Sequence, residues 1–182
     1  MRSTRRAAWL PLLLALAIGP ATAGDRIAVF DPELLDTSGE GRREDQQRRL
    51  AMIGNELRRA LAESGRYAVV DIAPLRARLA EGPALLGCGG CAADAAQALD
   101  AELGLVTVVQ KVSNLILSIT FSVLEAAPSG VRRAVYSAEI RGNTDESWQR
   151  GLRWLLRNRL LAPPDGAAGT AQDVISASPE RR

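Results

Sequence analysis

The 182-residue chain contains no histidine. That absence removes Ser-His-Asp and Cys-His catalysis, His-ligated zinc or haem, and a histidine pH switch. Aromatic residues make up only 4%, too few for a platform on which single-stranded nucleic acid stacks its bases. Cys88 and Cys91 are the only cysteines, and Lys111 is the only lysine, so the remaining basic residues are arginines. No segment after the first 23 residues is apolar for long enough to span a bilayer. What is present is ordinary in amount. Hydrophobic residues at 47% and charged residues at 24% match a globular domain and exclude wholesale disorder. The length suits one domain.

The chain opens with Met1-Arg2-Ser3-Thr4-Arg5-Arg6, continues through an apolar run from Ala7 to Ile18, and reaches Gly19-Pro20-Ala21-Thr22-Ala23. A basic start, a short apolar core and an Ala-x-Ala end are the parts of a secretory signal peptide. Read instead as a membrane anchor, the stretch is too short and is broken by Pro11, Gly19 and Pro20. No cysteine follows the cleavage site, which argues against a lipid anchor. The expected organisation is a signal peptide over 1–23, one domain over 24–162 and a disordered tail over 163–182, in a soluble periplasmic protein with no membrane span after signal removal. Losing Arg2, Arg5 and Arg6 leaves the mature chain nearly neutral, at −1. Nucleic-acid binding wants a strong positive field, and none is expected here.

Arg26-Ile27-Ala28-Val29-Phe30 reads as a buried first strand, followed by a polar loop from Asp31 to Gly41. Arg43 to Ser64 carries Leu50, Ile53, Leu57 and Leu61 at helical spacing, and Gly65 ends it. Arg66 to Ile72 is a second strand, which completes a βαβ unit. Pro74–Glu81 and Ala92–Glu102 read as helices, and Leu103–Val112 as a central strand buried on both faces. From Leu115 to Val123 and from Arg133 to Arg141 the apolar residues alternate. Ser118, Thr120 and Ser122 point away from the core, so part of the sheet is expected to be uncovered or covered by a partner. A last helix opens at Asn143 or Thr144 and turns Trp148, Leu152, Leu155 and Leu156 inward. The fold class is α/β (α+β), with order β-α-β-α-α-β-β-β-α and a mixed sheet.

Five stretches carry a family likeness. They are Ile27-Ala28-Val29-Phe30-Asp31, then Leu61 to Tyr67 with Val69-Val70-Asp71, and the pair Gln110–Leu117 and Arg141–Trp148. Together they resemble an exported bacterial family, the domain of unknown function 2380, over roughly 26–161. The resemblance brings no established activity; its gene neighbourhoods imply a link to periplasmic quinoprotein alcohol dehydrogenases. More distantly, the element order is similar to the α/β domain shared by the TolB N-terminal domain, CsgG and LpoB. That resemblance implies a binding or assembly module rather than an enzyme.

Four groups of residues could carry function. Cys88-Gly89-Gly90-Cys91 can form a small disulfide that pins a loop in an oxidising compartment, or act as a thiol–disulfide pair at a helix start. The loop carboxylates Asp31, Glu33, Asp36 and Glu40 could hold a cation such as Ca²⁺, or simply be solvated. Lys111, Ser113, Asn114, Arg141, Asn143, Asp145 and Glu146 gather at strand ends. They form either a polar recognition surface or a cap with an internal salt bridge from Arg141 to Asp145 or Glu146. Trp154 lies off the inward stripe beside Arg150, as an interface residue or a cover for its own sheet. The leading expectation is a non-enzymatic periplasmic accessory protein without cofactor or metal. It would bind another envelope protein through Lys111, Asn114, Arg141, Asn143, Asp145, Glu146 and Trp154, with the oligomeric state open. A thiol–disulfide protein and a cation or small-ligand carrier are the alternatives.

Overall fold

A computed structural model describes residues 24–41 and 43–163. The expected leader, and all but the first residue of the expected tail, lie outside the described residues. The chain runs through β1 (Asp25–Val29), β2 (Glu33–Asp36), α1 (Glu44–Glu63), β3 (Tyr67–Val70), α2 (Ala73–Glu81) and α3 (Cys91–Ala98). It continues through β4 (Leu103–Lys111), β5 (Ile116–Glu125), β6 (Arg132–Arg141) and α4 (Asp145–Leu155), which passes into a π-helical turn over Leu156–Leu160. The sheet order is β3-β1-β4-β5-β6. β1 is parallel to both β3 and β4, and β4-β5-β6 form an antiparallel meander.

One strand was not expected. Glu33–Asp36 falls inside the stretch read as a polar loop, yet it pairs in parallel with β4 from Val108 to Lys111. The reason lies in β4. Its nine residues outrun β1, which pairs only with Leu103, Gly104 and Leu105. The remaining edge of β4 needs partners for its backbone, and the chain turns back onto it after Pro32. β1 and β2 therefore lie end to end along one edge of β4. Gly54 of α1 packs over this break, where an added Cβ would come within 2.8 Å of the Pro32 ring. The third helix is also shorter than its pattern suggests. It stops at Ala98, and Asp100 adopts a left-handed conformation.

Helices cover the sheet unequally. On one face α1 buries Leu50, Ile53, Leu57 and Leu61, and α4 buries Trp148, Leu152 and Leu155. Both pack against Ile27, Leu105, Val109, Ile119 and Phe121. The two helices run side by side in the same direction, as shown by the contacts Arg49–Asp145, Gln149–Met52 and Arg153–Glu56. Thr144 caps α4 reciprocally with Ser147 (3.2 and 3.0 Å). On the other face a smaller core of Ala28, Phe30, Val106, Val108, Ala95 and Ala96 lies beneath α3 and the segment around Leu85. No described helix is long and apolar enough to cross a membrane.

Thr107 sits in the middle of β4, fully buried, and its hydroxyl has no hydrogen-bond partner among the described residues. A buried unpaired hydroxyl costs about 1–3 kcal/mol, and valine has nearly the same shape. Thr107→Val is therefore expected to stabilise the domain by about 1 kcal/mol, read as a rise in the urea midpoint. A lower midpoint would show that the hydroxyl is satisfied.

Candidate functional site

At the carboxyl ends of β2 and β4 the chain gathers a continuous polar network. Lys111 closes β4 with its side chain wholly buried, and its Nζ donates to Glu40 Oε2 at 2.7 Å, with Asp36 Oδ2 at 3.8 Å. Glu40 also accepts from Asn114 Nδ2 at 2.7 Å, and Asn114 Oδ1 accepts from Asn143 Nδ2 at 2.9 Å. Asn143 Oδ1 in turn accepts from the indole of Trp148 at 3.0 Å and from Arg49. Arg49 reaches Asp145 at 2.7 Å and Asp45 at 2.9 Å. Asp36 accepts from the Ser38 amide and hydroxyl and from the buried Gln46. These Ser38 bonds, with Lys111 behind them, hold the Asp36 carboxyl below the usual range. Glu40 is held below it chiefly by the Lys111 hydrogen bond.

The network brings together Lys111, Asn114, Asn143 and Asp145 of the expected surface. Lys111 lies beneath the surface, its side chain wholly buried. Asp145 is paired with Arg49, so the alternative of an internal bridge from Arg141 to Asp145 or Glu146 is not formed among the described residues. Arg141 and Glu146 are exposed, and Trp154 is 41% exposed well along α4. Sequence reasoning missed Arg49, Gln46 and the indole N–H of Trp148. A lone lysine ending an apolar strand was the signal that could have pointed to a buried ion pair.

The four loop carboxylates do not converge. Asp31 pairs with Arg58 and Arg76, and Glu33 accepts from the Leu85 and Leu86 amides (2.6 and 3.0 Å). Asp36 and Glu40 share Lys111. No group of three or more metal-ligating side chains lies close together among the described residues. Beside this loop a cleft of about 820 Å³ opens between α1 and α2, with Phe30, Leu34, Leu50, Leu79 and Leu85 among its lining residues.

Cys88 and Cys91 form a disulfide with Cα atoms 5.5 Å apart, and Cys91 is the first residue of α3. Closing so short a loop is worth about 2 kcal/mol in the chain-entropy account. Cys88→Ser with Cys91→Ser is expected to lose about that much in urea unfolding. An unchanged midpoint would deny the bond a structural role.

The sheet face away from α1 and α4 stays open over β5 and β6. Pairing aligns Leu35, Gln110, Ser118 and Glu139 in one cross-strand row, and Thr120 and Ser137 in the next. The Thr120 and Ser137 hydroxyls bond at 3.0 Å. Ser122 and Val135 follow, and Ile116 stands opposite Arg141. Leu35, Ile116 and Val135 are exposed on this face. It ends at β6, a ten-residue strand with one edge unpaired among the described residues. The alternation read from the sequence predicted this uncovered hydroxyl-lined face.

The chain is similar to several solved structures. LpoB from Escherichia coli, determined by NMR, aligns at 18% identity and a TM-score of 0.50, covering 66% of this chain and 58% of that one. The LpoB C-terminal domain from Salmonella enterica aligns at 18% identity and 0.48, covering 66% and 84%. Lipoprotein GNA1162 from Neisseria meningitidis aligns at 15% and 0.47, covering 66% and 82%. None of the curated proteins compared with the chain matches it. A family model does match, from residue 25 to residue 160, a span that takes in the meander, the buried Lys111 and the capped start of α4. The chain belongs to the family described as a protein of unknown function (DUF2380).

Proposed function

We propose that this domain is a non-enzymatic accessory module of the bacterial envelope that binds another envelope protein through the open face and free edge of β5–β6. The observation that carries the reading is the half-covered sheet. Its bare side offers neutral hydroxyls at Ser118, Thr120, Ser122 and Ser137, bordered by exposed Leu35, Ile116 and Val135. Such a face, with an unpaired strand edge, suits strand addition or sheet packing by a partner. Glu139 and Arg141 are charged groups on the face itself, and the carboxylates at the strand end, Asp36 and Glu40, are engaged with Lys111, which favours binding over chemistry. Export rests on the leader pattern, and the disulfide fits an oxidising compartment. The tie to a quinoprotein oxidation system rests on the family resemblance alone.

The test is a photo-crosslinking residue placed at Ser137 or Thr120 in intact cells, with Arg48 on the exposed side of α1 as control. A discrete protein adduct at Ser137 and Thr120, absent at Arg48, is expected. No adduct at either sheet position, or equal adducts at all three, would overturn the reading.

A thiol–disulfide role is the second reading, favoured by Cys91 heading α3, where a helix terminus stabilises a thiolate. A reduction potential below about −300 mV marks a structural bond, whereas one of about −120 to −200 mV marks an exchanging pair.

A further inference from the structure

From Ser147 to Pro163 the chain contains no acidic residue, and it carries Arg150, Arg153, Arg157 and Arg159. Helical spacing separates this segment into two faces. Trp148, Leu152, Leu155, Leu156 and Leu160 are buried. Arg150, Arg153, Trp154, Arg157 and Asn158 recur at steps of three and one, and all are exposed. The Arg159 guanidinium lies over the Trp154 ring, 5.6 Å from its centroid. Of these arginines only Arg153 meets a carboxylate among the described residues, Glu56 of α1. An exposed tryptophan is thus framed by cations whose charge the domain leaves largely uncompensated.

We propose that this face of α4 and its π-helical turn docks on an anionic lipid surface. Arginine forks match phosphate oxygens, and an indole ring settles at the boundary between headgroups and acyl chains. The inward stripe remains in the core, so the helix does not insert. The contact is one ring and a row of guanidinium groups lying on phosphates. Charge complementarity supports lipid over a protein partner: the segment from Ser147 to Pro163 sets four arginines and no acid around one exposed indole. Arg66 bonds the Ala162 carbonyl at 2.9 Å, so this exposed arginine stands at the end where the basic helix finishes and extends the positive surface. This surface lies on the helical side of the sheet and is separate from the open β5–β6 face, so the two readings stand or fall independently.

The chain recovered in soluble form from a bacterial periplasm is mixed with phosphatidylglycerol-containing vesicles and with pure phosphatidylcholine vesicles, and sedimented. Binding to the anionic vesicles only is expected, lost between about 0.05 M and 0.5 M salt as the attraction is screened. Trp148 is already buried and Trp9 belongs to the expected leader, so a blue shift of emission on binding that Trp154→Ala removes reports Trp154. Arg150→Gln and Arg157→Gln should each lower partitioning about fivefold, and Trp154→Ala should abolish the blue shift. The urea midpoints of the two arginine variants should match wild type, since Arg150 and Arg157 are exposed. Equal binding to neutral vesicles, no binding to either, or wild-type partitioning by the arginine variants would overturn the proposal.

Discussion

Trp148→Ala is expected to remove a large part of the domain's stability and to move its urea midpoint sharply down. Trp148 is the largest fully buried side chain, wedged between α4 and the sheet in the same core as Ile53, Ile119 and Phe121. Truncating a buried tryptophan costs about 3–5 kcal/mol, against a total stability of about 5–15 kcal/mol for a typical domain. The indole also donates to Asn143, which links the α4 cap to Asn114 and Arg49. Trp148→Phe keeps most of the apolar bulk but drops that bond, and should cost about 1–2 kcal/mol. Far-ultraviolet dichroism across a urea titration separates the two. An alanine variant that keeps a wild-type midpoint would mean that Trp148 does not anchor α4.

At Lys111, removing the cation and removing its anions should have very different consequences. The ammonium is inaccessible to solvent, while Glu40 remains 38% exposed. In Lys111→Met the thioether chain fills the same space and the carboxylates regain water, so stability should stay within about 2 kcal/mol of wild type. In Asp36→Asn with Glu40→Gln the buried ammonium has no counter-charge. Leaving it uncompensated costs about 3–5 kcal/mol. The double variant should therefore melt far below Lys111→Met, and the reverse order would exclude a charged lysine in this position.

The same site has a pH signature. Asp36 and Glu40 titrate lower in the fold than in the unfolded chain. Their contribution is present above the unfolded carboxylate value near ~4 and is lost as pH falls through the lower folded values. In Lys111→Met the main cause of the Glu40 shift is gone, so Glu40 should titrate closer to an ordinary glutamate. Asp36 owes its shift first to Ser38 and should stay low. Carboxyl carbon resonances followed from neutral to acid pH distinguish the two groups.

What was legible in the sequence was local. Alternation over Leu117, Ile119, Phe121 and Val123, the helical stripe of α1 and the Thr144 start of α4 all depend on neighbours within a turn or a pleat, and each stands where its pattern puts it. β2 was not legible, because Leu34-Leu35 between two acids has no strand pattern of its own. It becomes a strand only because β4 leaves an edge bare. The polar network was hidden for a related reason. Lys111 and Glu40 are 71 residues apart, and Arg49 and Asp145 are 96 apart. Arg141 looked like the natural partner of Asp145 by proximity in sequence, but α1 lies parallel to α4 and supplies Arg49 first.

The position of β1 between β3 and β4 sets an order of events for a chain that emerges amino terminus first. Its neighbours are β3, some forty residues later, and β4, whose paired residues follow only at 103–105. Until β4 appears, β1 has one bare edge and β2 has no partner at all. β5, β6 and α4 with its π-helical turn, which carry about half of the larger core, come later still. Assembly of the sheet is therefore a late, long-range event, slow in the manner of folds dominated by distant pairings. A newly emerged chain would spend that interval with its most apolar strands unpaired, the stage at which it is most exposed to chaperones, proteases and other copies of itself.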